Sequence, residues 1–259
     1  MTPGGQDPTK RFSDRVESYA RSRPGYPQRV LDVLRVEAKL HPSDVVADVG
    51  SGTGILSKMF LRAGNVVFGI EPNAQMRAAA QHLLAGFPGF RSVSGSAEAT
   101  TLPDRGADFA AAGQAFHWFD RQKARAEFRR ILRPPARVAL LWNDRRTTGS
   151  RFSVGYERIL REFGTDYAEV DHKNLGPEAF DEFFGPGAWS SFSIPNEQRL
   201  DLDGLRARLL SSSYAPAPGH ARHEEMMDDL ERTFAATNEN GIVRMEYDTR
   251  IYLGRLRMG

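Results

Sequence analysis

Residues 45–55, VVADVGSGTGI, and residues 66–71, VVFGIE, decide the fold of this chain. In the first stretch an apolar run leads to Asp48, and glycines then follow at every second position. In the second stretch another apolar run ends in Glu71. An open α/β sheet forms a nucleoside pocket from this series of elements: a strand, a glycine turn, a helix and a second strand that ends in an acid. The glycines let the backbone approach the ligand, and the acid accepts the ribose hydroxyls.

The spacing of the glycines narrows the choice of ligand. A dinucleotide-binding turn reads GxGxxG and places a pyrophosphate at a helix N-terminus. Here the third glycine comes one position early, as Gly50-x-Gly52-x-Gly54, and Ile55 stands where the dinucleotide glycine would be. The chain also lacks a phosphate-binding GxxxxGK run followed by Ser or Thr. An accidental glycine-rich turn is the alternative, but the register of strand, turn, helix, strand and acid favours a ligand without a phosphate.

The order of the predicted elements indicates the fold class. Strands are predicted at 44–49, 66–71, 89–93, 107–113 and 137–142, and helices at 28–38, 54–63, 73–85 and 119–132. Their alternation predicts a doubly wound, Rossmann-like α/β fold. Beyond residue 143 we predict helices at about 151–164, 177–184, 203–211 and 219–236, and strands at 189–194 and 242–253. The expected result is a seven-stranded sheet, mostly parallel with its last strand antiparallel, and a helical cap.

These elements suggest how the chain is organised. We expect a flexible leader at 1–9, a ligand-binding core with an N-terminal lid at 10–143, and the rest of the same fold, with the cap helices and final strands, at 144–259. A chain of 259 residues fits one such domain.

Composition excludes several classes of site and partner. The net charge of +2 is too small to indicate nucleic acid as a partner. The absence of cysteine excludes disulfides, thiolate zinc sites and a cysteine nucleophile. No adjacent Asp/Glu cluster reads as a metal site, so we expect no metal. No apolar run approaches the roughly 20 residues of a membrane span, and no secretory signal is evident, so we expect a cytoplasmic protein without a membrane partner.

Two motifs resemble a known enzyme family. The run DVGSGTG at 48–54 resembles motif I of the class I S-adenosylmethionine-dependent methyltransferases. The run QAFHWF at 114–119 resembles the small-molecule methyltransferases related to trans-aconitate methyltransferase, and so does the segment 12–27. The resemblance is strong over about 10–143. It implies S-adenosylmethionine as cofactor, S-adenosylhomocysteine as product and a small-molecule acceptor.

The resemblance also implies the residues of the cofactor site. They follow the ends of the first four strands, where an open α/β sheet binds its ligand. The predicted cofactor-binding residues are Asp48, Gly50, Ser51, Gly52, Thr53, Gly54, Glu71, Pro72, Ser96, Ala97, Glu98, Gln114, Ala115 and Phe116. The polar residues after the third strand correspond to the place where the family binds the adenine amino group.

The acceptor side is predicted from aromatic and basic residues. The predicted substrate residues are Tyr19, Arg23, Tyr26, His117 and Trp118. His117 is the candidate general base for a phenol or amine acceptor, whereas a carboxylate is already ionised and needs none. Arginine in the lid segment suits a carboxylate, because guanidinium binds it in a bidentate manner. We therefore favour O-methylation of a carboxylic acid.

Several alternatives stay open at this point. The family usually enters its fifth strand through a Leu-x-Pro-Gly-Gly turn, and this chain has LRPPA at 132–136 instead, so the start of that strand is uncertain. The basic segment 121–133 allows an RNA substrate, although few acids and no interleaved aromatics accompany it. An RNA or protein methyltransferase and a non-catalytic S-adenosylmethionine-binding module are the competing functions. The oligomeric state is not predicted.

Overall fold

A computed structural model describes residues 22–165, 167 and 175–256. The predicted leader at 1–9, Tyr19 and the rest of the segment 12–27 up to residue 21 lie outside these residues. The strands are β1 (Val45–Val49), β2 (Val66–Ile70), β3 (Phe90–Val93), β4 (Ala107–Gly113), β5 (Leu132–Arg145), β6 (Trp189–Leu200) and β7 (Val243–Arg255). The helices are α1 (Arg29–Glu37), α2 (Ile55–Arg62), α3 (Ala74–Leu83), α4 (Arg121–Ile131), α5 (Arg151–Phe163), α6 (Pro177–Phe184), α7 (Leu202–Leu210) and α8 (His223–Thr237).

The strands form one seven-stranded sheet in the order β3-β2-β1-β4-β5-β7-β6. β1 pairs in parallel with β2 and β4, β2 with β3, and β4 with β5. The sheet is mixed, mostly parallel with one antiparallel strand, so the predicted fold class is confirmed. The strand order reverses on either side of β1, and in open α/β sheets such a switch point is where ligands bind.

The residues form two compact units. The core unit contains the described residues among 25–143, 175–194 and 249–256, and the second unit contains those among 22–24, 144–165, 167 and 195–248. In the core unit, alternate residues of each strand face opposite sides of the sheet, as the period of two requires. Ala47 and Val49 pack in one hydrophobic cluster with Phe128 of α4, whereas Val46 packs in another with Phe60 of α2. Helices therefore cover both faces of the sheet, which leaves the strand ends for a ligand.

The second unit has its own hydrophobic cluster. Side chains of α5, α7, α8 and the first half of β7 pack together there, among them Phe152, Leu205, Leu230 and Met245. The amphipathic helices predicted after residue 143 form α5, α7 and α8 with ends that differ by a few residues. Within the described ranges no helix has the length and apolar content that a bilayer crossing requires.

Two strands are longer than the sequence predicts. β5 begins at Leu132, directly after α4, rather than at residue 137, and β6 continues to Leu200 rather than ending at 194. Ala136 has a φ of 52°, a left-handed conformation that usually belongs to glycine. The loss of the family's two glycines therefore leaves a positive φ on a residue with a side chain. The Leu256 N–H donates to the Ala136 carbonyl.

Candidate functional site

The glycine turn lies at the carboxyl end of β1. Its start is fixed to β2, because the Gly50 N–H donates to the Ile70 carbonyl at 2.8 Å. Gly50 has a φ of 72°, and a Cβ there would come within 2.6 Å of the Ala115 side chain. Gly52 also has a positive φ, 55°, but a Cβ there would meet no atom within 4 Å. Gly50 is therefore required for packing, whereas open space beside Gly52 allows a ligand to approach the backbone.

Asp48 is fully buried at the end of β1. Its Oδ2 accepts a hydrogen bond from the Ser57 hydroxyl at 2.6 Å, and its Oδ1 has no partner among the described residues. Burial raises the pKa of Asp48 from 3.8 to about 7, although the hydrogen bonds from Ser57 oppose the rise. A buried carboxylate oxygen without a donor is costly, so a cationic ligand that reaches it would gain a strong hydrogen bond.

Glu71 follows β2 and receives two backbone hydrogen bonds. Its Oε1 accepts from the Asn73 N–H at 2.9 Å, and its Oε2 accepts from the Gly52 N–H at 3.0 Å. Each oxygen keeps a further lone pair, which two vicinal ribose hydroxyls can use. Burial raises the pKa of Glu71, and the two backbone donors oppose that rise.

Among the described residues, no basic side chain forms an ion pair with either of these two carboxylates. The Arg77 guanidinium donates to the main-chain carbonyls of Glu71 and Pro72, at 2.8 and 2.7 Å, rather than to the Glu71 carboxylate. Burial is the main cause of the raised pKa of each carboxyl group; the charge of Glu71 adds a smaller rise to the pKa of Asp48, and the charge of Arg77 partly opposes the rise in the pKa of Glu71. The electrostatics of the turn suit a ligand that carries positive charge and disfavour a pyrophosphate.

In the sheet order, the loop after β3 is next to the end of β2 that carries Glu71, and the loop after β4 is next to the glycine turn. In the first, the Ser96 N–H donates to the Ala99 carbonyl, and the Glu98 Oε1 accepts from the Asp120 N–H at 2.9 Å. In the second, Gln114 has a φ of 59°, and its N–H donates to the Leu141 carbonyl at 2.8 Å. These bonds fix both loops to neighbouring elements. The predicted cofactor residues of the core unit therefore come from adjacent strand ends.

The predicted run 116–118 forms a 3-10 turn. The Phe116 side chain is buried and packs against Phe180 and Phe183, with ring centroids 5.9 and 5.0 Å apart, so it belongs to the aromatic core. His117 and Trp118 are half-buried, and their rings lie 4.8 Å apart. Of the three, His117 and Trp118 keep partly accessible side chains, and Phe116 can reach a ligand only through its backbone.

Tyr26 lies against the carboxyl end of β4. A Cβ on Gly113 would collide with the Tyr26 hydroxyl, so this glycine is what allows the tyrosine to approach. The segment is held by Asn143 at the end of the neighbouring strand, whose Nδ2 donates to the Gly25 carbonyl at 3.2 Å. The Asn143 Oδ1 in turn accepts from the Thr249 hydroxyl at 2.6 Å. Tyr26 therefore lies at the same edge of the sheet as the glycine turn.

The remaining predicted residues divide between the units. Arg23 belongs to the second unit, where its Nη2 donates to the Ser211 carbonyl at 3.0 Å. Ser51, Thr53, Ala97 and Ala115 are buried in the core unit, and the Thr53 hydroxyl has no partner among the described residues. Two residues that sequence reasoning missed support the site, Ser57 beneath Asp48 and Asn143 beneath Tyr26. Neither carries a motif signal, because each acts through another residue.

The basic segment predicted from the sequence is largely paired with acids. Arg121 forms an ion pair with Glu182, Lys123 with Asp120 at 3.0 Å, Arg130 with Glu127 and Asp104 at 2.7 Å, and Arg133 with Asp108 at 2.9 Å. The acids come from α4 and its N-cap, from the loop before β4, from β4 itself and from α6. Because acids of the chain pair with four of the six cations in this segment, it presents less net positive potential to a polyanion.

Comparisons with known proteins give one consistent family. A methyltransferase domain model matches residues 47–140. An uncharacterised methyltransferase of Mycobacterium bovis is 30% identical over 245 residues, which cover 93% of this chain and 94% of that protein. A candidate type II methyltransferase from Anaeromyxobacter dehalogenans superposes with a TM-score of 0.65 at 22% identity, covering 91% of this chain and 99% of that one. A candidate methyltransferase of an antibiotic biosynthesis pathway in Anabaena variabilis gives 0.61 at 21% identity, covering 92% and 100%.

Proposed function

Since this chain belongs to the S-adenosylmethionine-dependent methyltransferases, we propose that it methylates the carboxylate of a small organic acid. The proposal that the acceptor is a small molecule rests on the ion pairs of the basic segment 121–133. Four of its cations, Arg121, Lys123, Arg130 and Arg133, form ion pairs with acids of the chain itself. An enzyme that binds RNA keeps such cations available for phosphates.

The two carboxylates of the glycine turn support a cationic cofactor at this position. We propose that the Glu71 oxygens accept the ribose hydroxyls and that the Asp48 Oδ1 accepts from the ammonium of the amino acid tail. S-adenosylmethionine carries a sulfonium and an ammonium group, so it supplies the positive charge that these buried acids lack. Open space beside Gly52 supports the passage of the ligand along the turn.

The loops after β3 and β4 complete the proposed cofactor site. Ser96, Ala97 and Glu98 are proposed to face the adenine amino group, with Glu98 held by the Asp120 N–H. Gln114, Ala115 and Phe116 are proposed to contact the cofactor through the backbone. The small residues of β4 that precede them, ADFAAAG, suit a backbone that a ligand approaches closely.

The cofactor supplies an activated methyl group, so the protein contributes binding, orientation and electrostatics. Alignment of a nucleophile with the methyl can supply ~7–11 kcal/mol of the barrier. A carboxylate acceptor is ionised at neutral pH and needs no general base. In this proposal His117, Trp118 and Tyr26 therefore position the acceptor. The likeness of 114–119 to relatives of trans-aconitate methyltransferase supports an acid as the acceptor.

An acceptor screen tests the proposal. The purified enzyme and S-adenosylmethionine with a labelled methyl group are incubated with small carboxylic acids, phenols, amines and total RNA. We expect label on one or more acids, in a product that releases methanol in dilute base, as a methyl ester does. Label only on phenols or amines, or a base-stable product from an acid, would overturn the carboxylate assignment. Label on RNA that falls steeply with added salt would overturn the small-molecule assignment.

A further inference from the structure

A buried asparagine lies near the carboxyl end of β5 in the core unit. Only 6% of the surface of Asn143 is exposed. An amide that is buried to this degree needs hydrogen-bond partners, because each unpaired polar atom in the interior costs free energy. Asn143 finds its partners on three separate elements of the same unit. They are the segment before α1, the loop after β4, and β7.

The side chain of Asn143 holds the segment that carries Tyr26. Its Nδ2 donates to the Gly25 carbonyl at 3.2 Å. Tyr26 is the next residue, and its hydroxyl lies against Gly113 at the end of β4, where a Cβ would collide with it. The Tyr26 ring also packs against the hydrophobic cluster that contains Leu56. The bond to Gly25 therefore fixes the backbone from which the Tyr26 side chain reaches the end of β4.

The main chain of Asn143 holds the loop that follows β4. Its carbonyl accepts from the Gln114 Nε2 at 3.4 Å. The Gln114 N–H donates to the carbonyl of Leu141, also in β5, at 2.8 Å, so two bonds connect Gln114 to this strand. Gln114 has a φ of 59°, a left-handed conformation that is uncommon for a residue with a side chain. Asn143 thus contacts both the predicted acceptor-side segment and the predicted cofactor-side loop.

Thr249 of β7 sets the orientation of the Asn143 amide. The Gly25 carbonyl only accepts hydrogen bonds, so it has to face the amide NH2 group, and the amide oxygen then faces β7. There the Asn143 Oδ1 accepts from the Thr249 hydroxyl at 2.6 Å, and Thr249 is fully buried. A hydroxyl that donates to the amide oxygen keeps the NH2 group directed at Gly25. The position of the Tyr26 segment therefore depends on Thr249 through Asn143.

We propose that Asn143, oriented by Thr249, is a positioning residue for methyl transfer. It sets the spacing between Tyr26 on the acceptor side and Gln114 on the cofactor side. The rate of an in-line displacement depends steeply on such spacing, and a misplacement of about 1 Å can cost ~100-fold. Asn143 and Thr249 act through these neighbours and need not touch either ligand. The inference rests on the proposed function for the roles of Tyr26 and Gln114, but it applies to an acceptor of any class.

The core unit offers a matched control at the opposite edge of the sheet. Asn65 directly precedes β2 and is also buried, and its Nδ2 donates to the His41 and Asp44 carbonyls at 2.8 and 2.9 Å. Asn65→Ala and Asn143→Ala both remove a buried amide that is bonded to a backbone carbonyl, so both should lose stability. Only Asn143 lies at the edge that carries the glycine turn. If both asparagines were merely structural, the two variants would have similar activity at a temperature well below their Tm values.

The experiment measures kcat, the Kd of S-adenosylmethionine and Tm on the full chain, with the best acceptor of the screen whatever its class. Asn143→Ala should lower kcat ~10–100-fold and change the Kd less than about threefold, because its main-chain carbonyl still holds Gln114. Thr249→Val, which has the shape of threonine without the hydroxyl, should lower kcat in the same direction. Thr249→Ser keeps the hydroxyl and should retain a kcat near that of the wild type, and so should Asn65→Ala.

A second measurement needs no acceptor. The chain is labelled with meta-fluorotyrosine, and the fluorine NMR signal of Tyr26 is identified as the one that Tyr26→Phe lacks. Spectra are recorded with saturating S-adenosylhomocysteine. Asn143→Ala and Thr249→Val should shift or broaden the Tyr26 signal, whereas Thr249→Ser and Asn65→Ala should leave it as in the wild type.

Several results would overturn the positioning role. They are a wild-type kcat or an unchanged Tyr26 signal in folded Asn143→Ala, an equal loss of kcat in Asn65→Ala, and equal kcat values in Thr249→Val and Thr249→Ser. If Asn143→Ala does not fold, the two Thr249 variants decide, and if no acceptor is found, the Tyr26 signal decides. Methyl transfer to amines or phenols alone, with kcat lost in Asn143→Ala but not in Asn65→Ala, would reject the carboxylate acceptor and retain the positioning role.

Discussion

The substitution Asp48→Asn is expected to stabilise the ligand-free protein at neutral and alkaline pH. Asp48 is fully buried, and burial raises its pKa from 3.8 in the unfolded chain to about 7 in the folded one. Each pKa unit corresponds to ~1.36 kcal/mol, so a shift of about three units costs up to about 4 kcal/mol once both states are ionised. Asparagine has the same shape without the charge and still offers an oxygen to the Ser57 hydroxyl. Even a quarter of that free energy, about 1 kcal/mol, raises Tm by roughly 2–4 °C.

The direction of the pH dependence follows from the sign of the shift. Because the folded-state pKa is raised, this group's contribution to stability is fully present below pH 4 and is lost as the pH rises to about 7. The gain from Asp48→Asn should therefore be largest at pH 8 and should shrink between pH 7 and pH 4. Differential scanning calorimetry of the wild type and the variant at pH 5, 6, 7 and 8 measures it. Asp104→Asn, at a side chain that is 78% exposed, is the control and should change Tm little.

The same substitution should weaken cofactor binding. A carboxylate that accepts from an ammonium contributes about 1.5–3 kcal/mol, so the loss of its charge should raise the Kd of S-adenosylmethionine by roughly 10–100-fold. Stability and affinity should thus move in opposite directions. A Tm for Asp48→Asn that is lower than the wild type at pH 8, or a gain that is the same at pH 5 and pH 8, would refute the reasoning.

Four further substitutions separate packing, binding and catalysis around the site. Gly50→Ala should lower the free energy of unfolding by ~2–4 kcal/mol, because φ at this position is positive and an added Cβ has no room. Gly52→Ala should lower it by only ~1 kcal/mol and should mainly weaken S-adenosylmethionine binding, because an added Cβ meets no atom of the protein. Thermal melts measure the stability of each variant, and calorimetric titration measures its affinity for the cofactor. Ser57→Ala should destabilise by ~1–3 kcal/mol at pH 8 and by less at pH 5, where Asp48 is protonated, and equal losses at both pH values would contradict the assigned pKa. His117→Gln should lower kcat for an acid acceptor less than tenfold and leave its pH profile between 6 and 8 unchanged; a loss of ~100-fold or more would identify His117 as a general base.

The sequence was sufficient for those parts of the site that depend on local backbone requirements. Glycines at every second position after a buried strand place positive φ values at Gly50 and Gly52, and the acid that ends the next strand lies beside them. Because β1 pairs in parallel with β2, the glycine turn and the acid meet at the same edge of the sheet independently of the rest of the chain. The doubly wound sheet is predictable for the same reason, since alternating strands and helices leave few other topologies.

The parts that sequence reasoning missed depend on contacts between distant segments. Phe116 belongs to a motif, but its ring is held in an aromatic core by Phe180 and Phe183, and nothing in the motif indicates that packing. The early start of β5 follows from α4 ending directly against it rather than from local propensity.

The central claim is that the glycine turn and Glu71 form the S-adenosylmethionine site, and calorimetric titration tests it most directly. Wild type and Glu71→Gln are titrated with S-adenosylmethionine, S-adenosylhomocysteine and NAD, with thermal melts to show that the variant is folded. Both adenosyl ligands should bind the wild type in the micromolar range, NAD should not bind, and Glu71→Gln should bind both ligands ~10–100-fold more weakly with its Tm retained. Unchanged affinity in folded Glu71→Gln, or binding of NAD in place of the adenosyl ligands, would contradict the account.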